Sequence, residues 1–422
     1  MIICITGFFL VLTIFKSLYF STKNGGTDLR IRVVASRLLS TNHSPYFYKW
    51  SPVDGEYLLD PIDKASRLVN GNVVTPAILY VIYPLSWQPY PIIRIMWTVI
   101  QFILLFISLF LLLKNKDCLL AFVPTCVMVI GLICTDIWLL NIERGQIYIF
   151  YTFLFTVMYK LYTSGRKHTM LFSGFIGGLF ILFRPFAGII GLVFVLNGKK
   201  KWVLGCITGF IIGCFLFVLP QPSLWKDYFK AMNEYANEYT GNSHSNINAK
   251  EYAKPAIIEG ADNLRQAQGF NISGIDTIYD YLRKMGIIIS RNQSYILYAL
   301  IVFLLSFFFF RLQKKDFTPQ SLFLFAFLLY ILAELFVTVP RGRYNLIQWI
   351  FPLSLILLQS RFNQSLFILL ITGLLLLHNF PFVFPYQAVL AELLFIGVTI
   401  YCTLFIKSFN RFNMRSAKLD AQ

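Results

Sequence analysis

A chain of 422 residues that is 57% hydrophobic and 17% aromatic is too apolar for an ordinary soluble protein, and its apolar runs recur near the ~20 residues that cross a bilayer. A formal net charge of +17 would point to nucleic acid in a soluble protein. Here the basic residues sit in short loops between apolar runs, the pattern that writes membrane topology, so no nucleic-acid partner is expected.

The first run, Met1 to Phe20, lacks a basic start and a small-residue cleavage site, so it reads as a retained helix rather than a signal peptide. The stretch Asn24 to Trp50 follows. It carries Asp28, just after Gly25 and Gly26 and just before Arg30 and Arg32. An acid one turn beyond a membrane helix lies at the membrane–water boundary, where a carboxylate can meet a lipid-borne phosphate and a water-borne acceptor together. Asp28 is therefore a candidate general base. The plainer reading makes Asp28, with Thr27, the cap of a helix over Leu29–Leu39. Further spans are expected at roughly 92–113, 118–140, 146–163, 202–220, 292–311, 317–339, 345–360, 363–380 and 386–407.

Basic clusters fall in alternate loops: Lys114 and Lys116, Arg166 and Lys167, Lys199 to Lys201, Arg311 with Lys314 and Lys315, Arg361, and the tail with Lys407, Arg411, Arg415 and Lys418. These belong on the cytoplasmic side, which leaves 21–91, 141–145, 221–291, 340–344 and 380–385 outside. Met170–Asn197 begins and ends on the inside and is too short to cross twice at about 1.5 Å per residue. Arg184–Pro185 falls at its middle, where proline disfavours helix and arginine is costly at depth. Two short helices meeting there are expected, tipped toward the outer leaflet, with Arg184 facing a cavity. The loop 221–291 includes Trp225–Tyr239, whose aromatic spacing suits a helix lying on the membrane surface. The glycosylation-type triplets at Asn271, Asn292 and Asn363 read as chance. The fold expected is thus an all-α polytopic membrane protein, a single integral membrane unit over 1–422 with two long extracytoplasmic loops, 21–91 and 221–291, the first of them catalytic.

The outer loops gather the candidates for chemistry. Arg30 lies in the first; Glu143, Arg144 and Gln146 in the next; Arg341, Arg343 and Tyr344 in a third. Arg144, Gly145 and Gln146 stand where a helix begins and would turn backbone N–H groups toward an anion. Arginines at headgroup depth, with a carboxylate among them, suit a lipid-linked phosphate, because the guanidinium fork matches phosphate and does not titrate away. Glu334, near the end of a span, is expected to pair with Arg341 or Arg343. Asp136 and Glu143 are the second-choice carboxylates. The cysteines, with no CxxC pair, and the scattered histidines show no metal-ligand spacing. No Asp-x-Asp pair, Walker loop or Gly-rich dinucleotide fingerprint is present, so neither metal nor cofactor is expected.

The order of motifs is similar to that of a known family. Thr27-Asp28-Leu29-Arg30 opens the first loop and Pro45-Tyr46 follows. Then come Thr75-Pro76-Ala77-Ile78-Leu79 with Tyr83-Pro84-Leu85, Asn141 to Gln146, a segment with Gly174, Gly177 and Gly178 ending in Arg184-Pro185, and Tyr344-Asn345-Leu346. In this order the chain resembles glycosyltransferase family 87, membrane mannosyltransferases of the GT-C superfamily. The family usually has Tyr-Pro-Pro where this chain has Val74-Thr75-Pro76, and Lys-Pro where it has Arg184-Pro185. The resemblance implies a GT-C-like bundle of about 10–13 helices and a catalytic acid at Asp28. It implies inverting transfer of a hexose, mannose first among them, from a polyprenyl-phosphate donor to a lipid or glycan acceptor, at the extracytoplasmic face of a bacterial inner membrane. Arg184, Arg341, Arg343, Tyr344, Arg144, Gln146 and Arg30 are the expected substrate-binding residues. Two other classes share the hydrophobicity and the outer arginines: a transporter or flippase, and an O-antigen polymerase or ligase, each handling a polyprenyl-linked sugar.

Overall fold

The computed structural model describes residues 2–23, 26–41, 43–62, 74–113, 119–240, 282, 285–287, 289–313, 317–337, 341–359, 364–378 and 387–405. Lys114, Lys116, Lys314, Lys315, Arg361, the basic tail, the loop 380–385, most of 221–291 beyond Thr240, Asn271 and Asn363 lie outside the described residues.

The chain is an all-α polytopic membrane protein, with no strand among the described residues. Helix α1 is Ile2–Lys23, α2 Thr27–Arg37, α3 Pro76–Ser86 and α4 Tyr90–Leu113. Then come α5 Leu119–Ile133, α6 Asp136–Arg144, α7 Tyr148–Thr163, α8 Lys167–Phe183, α9 Gly188–Leu196, α10 Lys200–Phe217 and α11 Pro222–Thr240. The last five are α12 Arg291–Gln313, α13 Pro319–Phe336, α14 Ile350–Gln359, α15 Gln364–Leu377 and α16 Gln387–Phe405.

Within α1, α4, α10, α12, α13 and α16 lie six apolar stretches long enough to cross a bilayer, among the described residues. The span expected at 118–140 is a bent pair instead: α5 and α6 meet at 57°. The span expected at 146–163 is the 16-residue α7, about 24 Å long against a hydrocarbon core of about 30 Å. The span near 345–360 is a 3-10 turn, Arg343–Trp349, running on into the 10-residue α14, and the described part of that near 363–380 holds the 14-residue α15. Helix α3, two prolines in an apolar run, was not foreseen as a helix. Pro76 stands in its first turn, where no N–H partner is needed.

Two helices show how depth is distributed. Of the apolar windows, that of α13 is 83% buried and that of α12 only 11%. Helix α13 is therefore the protein-enclosed axis and α12 the lipid-facing flank. Around α13 the core is aromatic: Phe155, Phe180, Phe327, Tyr330 and Phe351 meet ring to ring at 5.2–6.1 Å. Helix α11 lays Leu224, Trp225 and Tyr228 inward, with the Tyr228 ring 5.8 Å from that of Tyr46.

Helices α8 and α10 approach backbone to backbone, because Gly174 and Gly178 face Gly205 and Gly209 across the pair. A Cβ at Gly178 would collide with the Cys206 carbonyl and the Phe210 amide. Small residues are what let membrane helices close to this separation. Gly178→Ala should cost about 1–3 kcal/mol of stability, read as a lower melting temperature of the purified protein. Gly191→Ala, in open space on α9, is the matched control and should not lower it.

Candidate active site

The carboxylate of Asp28 is placed by a glycine. Gly26 takes the left-handed conformation, φ 64° and ψ 62°, and turns the chain into α2. A Cβ there would press on the Tyr90 hydroxyl and the Arg94 guanidinium. The capping role expected of Asp28 and Thr27 is not seen. The helix starts at Thr27, its N-cap is Gly26, and no side-chain cap bond forms. Asp28 sits inside the first turn, where its charge still favours the positive helix end.

Its partners come from far along the chain. Gln146 Nε2 donates to Asp28 Oδ2, and Arg144 Nη1 lies 3.5 Å from the same oxygen. Both charged side chains remain reachable, Asp28 24% and Arg144 23% exposed. The turn that delivers them ends α6 rather than beginning α7. Gly145, φ 68°, closes α6 with its N–H on the Ile142 carbonyl at 3.0 Å, and the Gln146 N–H reaches the Asn141 carbonyl at 2.8 Å. The expected backbone cradle for an anion at 144–146 is therefore absent: those N–H groups are used up closing the helix they follow.

The remaining carbonyls of this turn are clasped by buried cations. Arg94 donates to Ile142 and Glu143, both at 2.8 Å, and Arg32 to Gly145 at 3.0 Å. Trp97 and Gln101 donate to the Gln146 carbonyl at 3.1 and 2.5 Å. Arg30 turns elsewhere, onto buried Asp60 at 3.2 Å, so the structure does not bring it to Asp28.

A second polar centre forms at the break between α8 and α9. Arg184 is extended at φ −146°, and Pro185 opens the 3-10 turn Pro185–Ala187 that leads into α9. The expected pair of short helices meeting at Arg184–Pro185 is present. The Arg184 side chain, 15% exposed, is held on Glu334, Nη2 to Oε1 at 2.8 Å and Nε at 3.2 Å. Its guanidinium also lies 5.8 Å from the ring centres of Tyr148, Tyr151 and Phe186. Glu334, fully buried, accepts from Tyr330 at 2.8 Å, Gln348 at 3.1 Å and Asn345 at 3.2 Å.

Glu334 thus pairs first with Arg184, and with Arg341 only at 3.7 Å. Arg341 is itself drawn off by Glu392, which takes its Nη1 and Nη2 at 2.6 and 2.5 Å and the Trp349 indole N–H at 3.0 Å. Arg341 is 1% exposed and lies within this network, not on a face open to ligand. The charge of Arg343 acts on Asp136. Glu392 was missed in the sequence, although a lone acid within the apolar run 386–407 was a usable signal.

The two centres are joined by tyrosines. The ring of Tyr344 lies 5.6 Å from the Arg144 guanidinium and 5.5 Å from the ring of Tyr148. Tyr148 in turn neighbours Arg184. A reachable carboxylate, two arginines and two tyrosines therefore form one continuous chain of contacts.

Residues 74–274 match the family model of glycosyltransferase family 87, the family to which the motif order pointed, and the match indicates a membrane glycosyltransferase. The matched segment contains Arg144, Gln146 and Arg184 and leaves out Asp28 and Arg341 to Tyr344. No curated protein and no solved structure matches the chain.

Proposed function

We propose that this chain, which carries a glycosyltransferase family 87 segment over residues 74–274, transfers a hexose from polyprenyl phosphate to a hydroxyl of a lipid or glycan at the extracytoplasmic face of a bacterial inner membrane. Mannose is the sugar to test first. The observation that carries the reading is the reachable Asp28 carboxylate held between Gln146 and Arg144, at one end of a chain of contacts that runs through Tyr344 and Tyr148 to Arg184.

In this reading the acceptor oxygen attacks the anomeric carbon while Asp28 takes its proton. The bond from that carbon to the phosphate oxygen breaks, inverting the centre, and the leaving group departs as polyprenyl phosphate carrying the bond's electron pair. Arg144 and Arg184 neutralise the charge that grows on the phosphate, as preorganised groups do best in a site poor in water. Arg184 gives Nε and Nη2 to Glu334, so Nη1 is the atom offered to the phosphate. Arg341 and Arg343 act behind this pair, and Tyr344 is the ring against which the sugar rests.

An apolar groove of about 400 Å³ runs along α9 against α12, lined by Ile189, Leu192, Leu196, Tyr298, Val302 and Phe303. Helix α9 begins just beyond Arg184, which suits a lipid tail whose phosphate is held there.

The test is transfer by the purified protein from radiolabelled polyprenyl-phosphate mannose to a lipid and glycan extract. A labelled product supports the reading and identifies the acceptor. If polyprenyl-phosphate mannose and its glucose and galactose counterparts all fail to react, yet the donor is carried across a vesicle bilayer, the protein is a transporter and the reading falls.

A further inference from the structure

Gln146 is 1% exposed, and each polar atom of the residue has a partner. Its N–H donates to Asn141 and its carbonyl accepts from Trp97 and Gln101. Its side-chain Oε1 accepts from Arg32 Nη2 at 2.7 Å, and its Nε2 donates to Asp28 Oδ2.

The direction of that amide is not a free choice. A guanidinium has donors only, so the group facing Arg32 must be the amide oxygen, and the N–H₂ is then turned to Asp28. Arg32 is itself buried and fixed on the Gly145 carbonyl at 3.0 Å. The recorded contacts of Asp28 with Gln146 and Arg144 both fall on Oδ2.

We infer that Gln146 does not bind substrate but is the positioning residue of the base: Arg32 sets the amide, the amide holds Oδ2, and Oδ1 is left to receive the acceptor's proton. This rests on Asp28 being the base. Because α2 supplies both Asp28 and Arg32, one helix presents the carboxylate and also orients the group that grips it. The grip reaches from α2 across to the end of α6 and back.

The test uses Gln146→Glu, Gln146→Met and Arg32→Met, each alone and with Asp28→Asn. Glutamate keeps the bond to Arg32, so the turn is retained, but it sets a second carboxylate against Asp28 in place of the amide donor. The readouts are kcat and KM for radiolabelled polyprenyl-phosphate mannose and for the acceptor. The expected result is a fall in kcat of roughly 10–100-fold, the size known for partners that orient a reactive group, with both KM values unchanged. Arg32→Met should fall likewise and add little to Gln146→Glu. In the Asp28→Asn background, followed over long single-turnover incubations, Gln146→Glu should not lower the residual rate further.

A raised donor KM at unchanged kcat would make Gln146 a substrate contact. An equal fall in the Asp28→Asn background would make it a structural residue. Either result overturns the inference, as does wild-type turnover by Gln146→Glu. If instead Asp28→Asn alone keeps full turnover, the base assignment fails first and is told apart by that single variant.

Discussion

Asp28→Asn is expected to fold and to lose transfer by roughly 10²–10⁴-fold, the range general-base assistance supplies. The substitution keeps the shape of the side chain. The asparagine carbonyl can still accept from Gln146 Nε2. What disappears is the proton acceptor. Also lost are the charge facing the positive end of α2, about 0.3–1 kcal/mol, and the partly exposed ion pair with Arg144 at 3.5 Å, worth about 0–1 kcal/mol once solvent screening is allowed for. A melting temperature close to wild type alongside the lost rate would separate chemistry from folding. Turnover at the wild-type rate would remove Asp28 from the mechanism. Glu143 and Asp136, which bracket α6, would then be the carboxylates to change next.

The largest effect on stability is expected at Glu334. It is fully buried and takes hydrogen bonds from Arg184, Tyr330, Asn345 and Gln348. Removing one partner of a buried ion pair leaves an uncompensated charge at about 3–5 kcal/mol. Glu334→Ala should therefore accumulate poorly or melt well below wild type.

Replacing both members, Arg184→Met with Glu334→Leu, removes the stranded charge and should recover part of that loss, since apolar replacement of a whole pair is often neutral. Recovery should be incomplete because the side-chain donors of Tyr330, Asn345 and Gln348 lose their acceptor. Activity separates the roles further. Arg184→Ala should raise the donor KM more than the acceptor KM if its remaining N–H group meets the phosphate. Equal effects on both substrates would confine Arg184 to the network with Glu334.

Much of the architecture was legible because membrane spans are written in length and composition, which are local. The apolar runs at 92–113 and 202–220 anticipated α4 and α10 to within a few residues. The break at Arg184–Pro185 was legible for the same reason, since proline and a charge at depth act on the backbone where they stand. Length alone misjudged the interior. Helix α7 is only 16 residues long, and helix α5 bends into α6 at 57°. An enclosed helix contacts neighbours over much of its surface and need not match the bilayer.

The candidate residues were legible as types and positions. Their pairing was decided only by the tertiary structure. Asp28 and Gln146 are separated by 118 residues, and Arg184 and Glu334 by 150. Nothing in the local sequence states which arginine a buried glutamate will take. Glu334 was expected to take Arg341 or Arg343. Arg341 does reach it, at 3.7 Å, but helix packing also set Glu392 against Arg341 at 2.5 Å and brought the broken end of α8 to Glu334 at 2.8 Å. The same packing turned the expected N–H cradle at Gly145 into a helix end. Apolar run length and the positions of the charges are enough to define a helical membrane protein with acid and arginines gathered in a few segments. The contacts that orient them depend on which helices lie side by side, because desolvated charges take whichever partner the close packing of apolar faces brings within a hydrogen bond's reach.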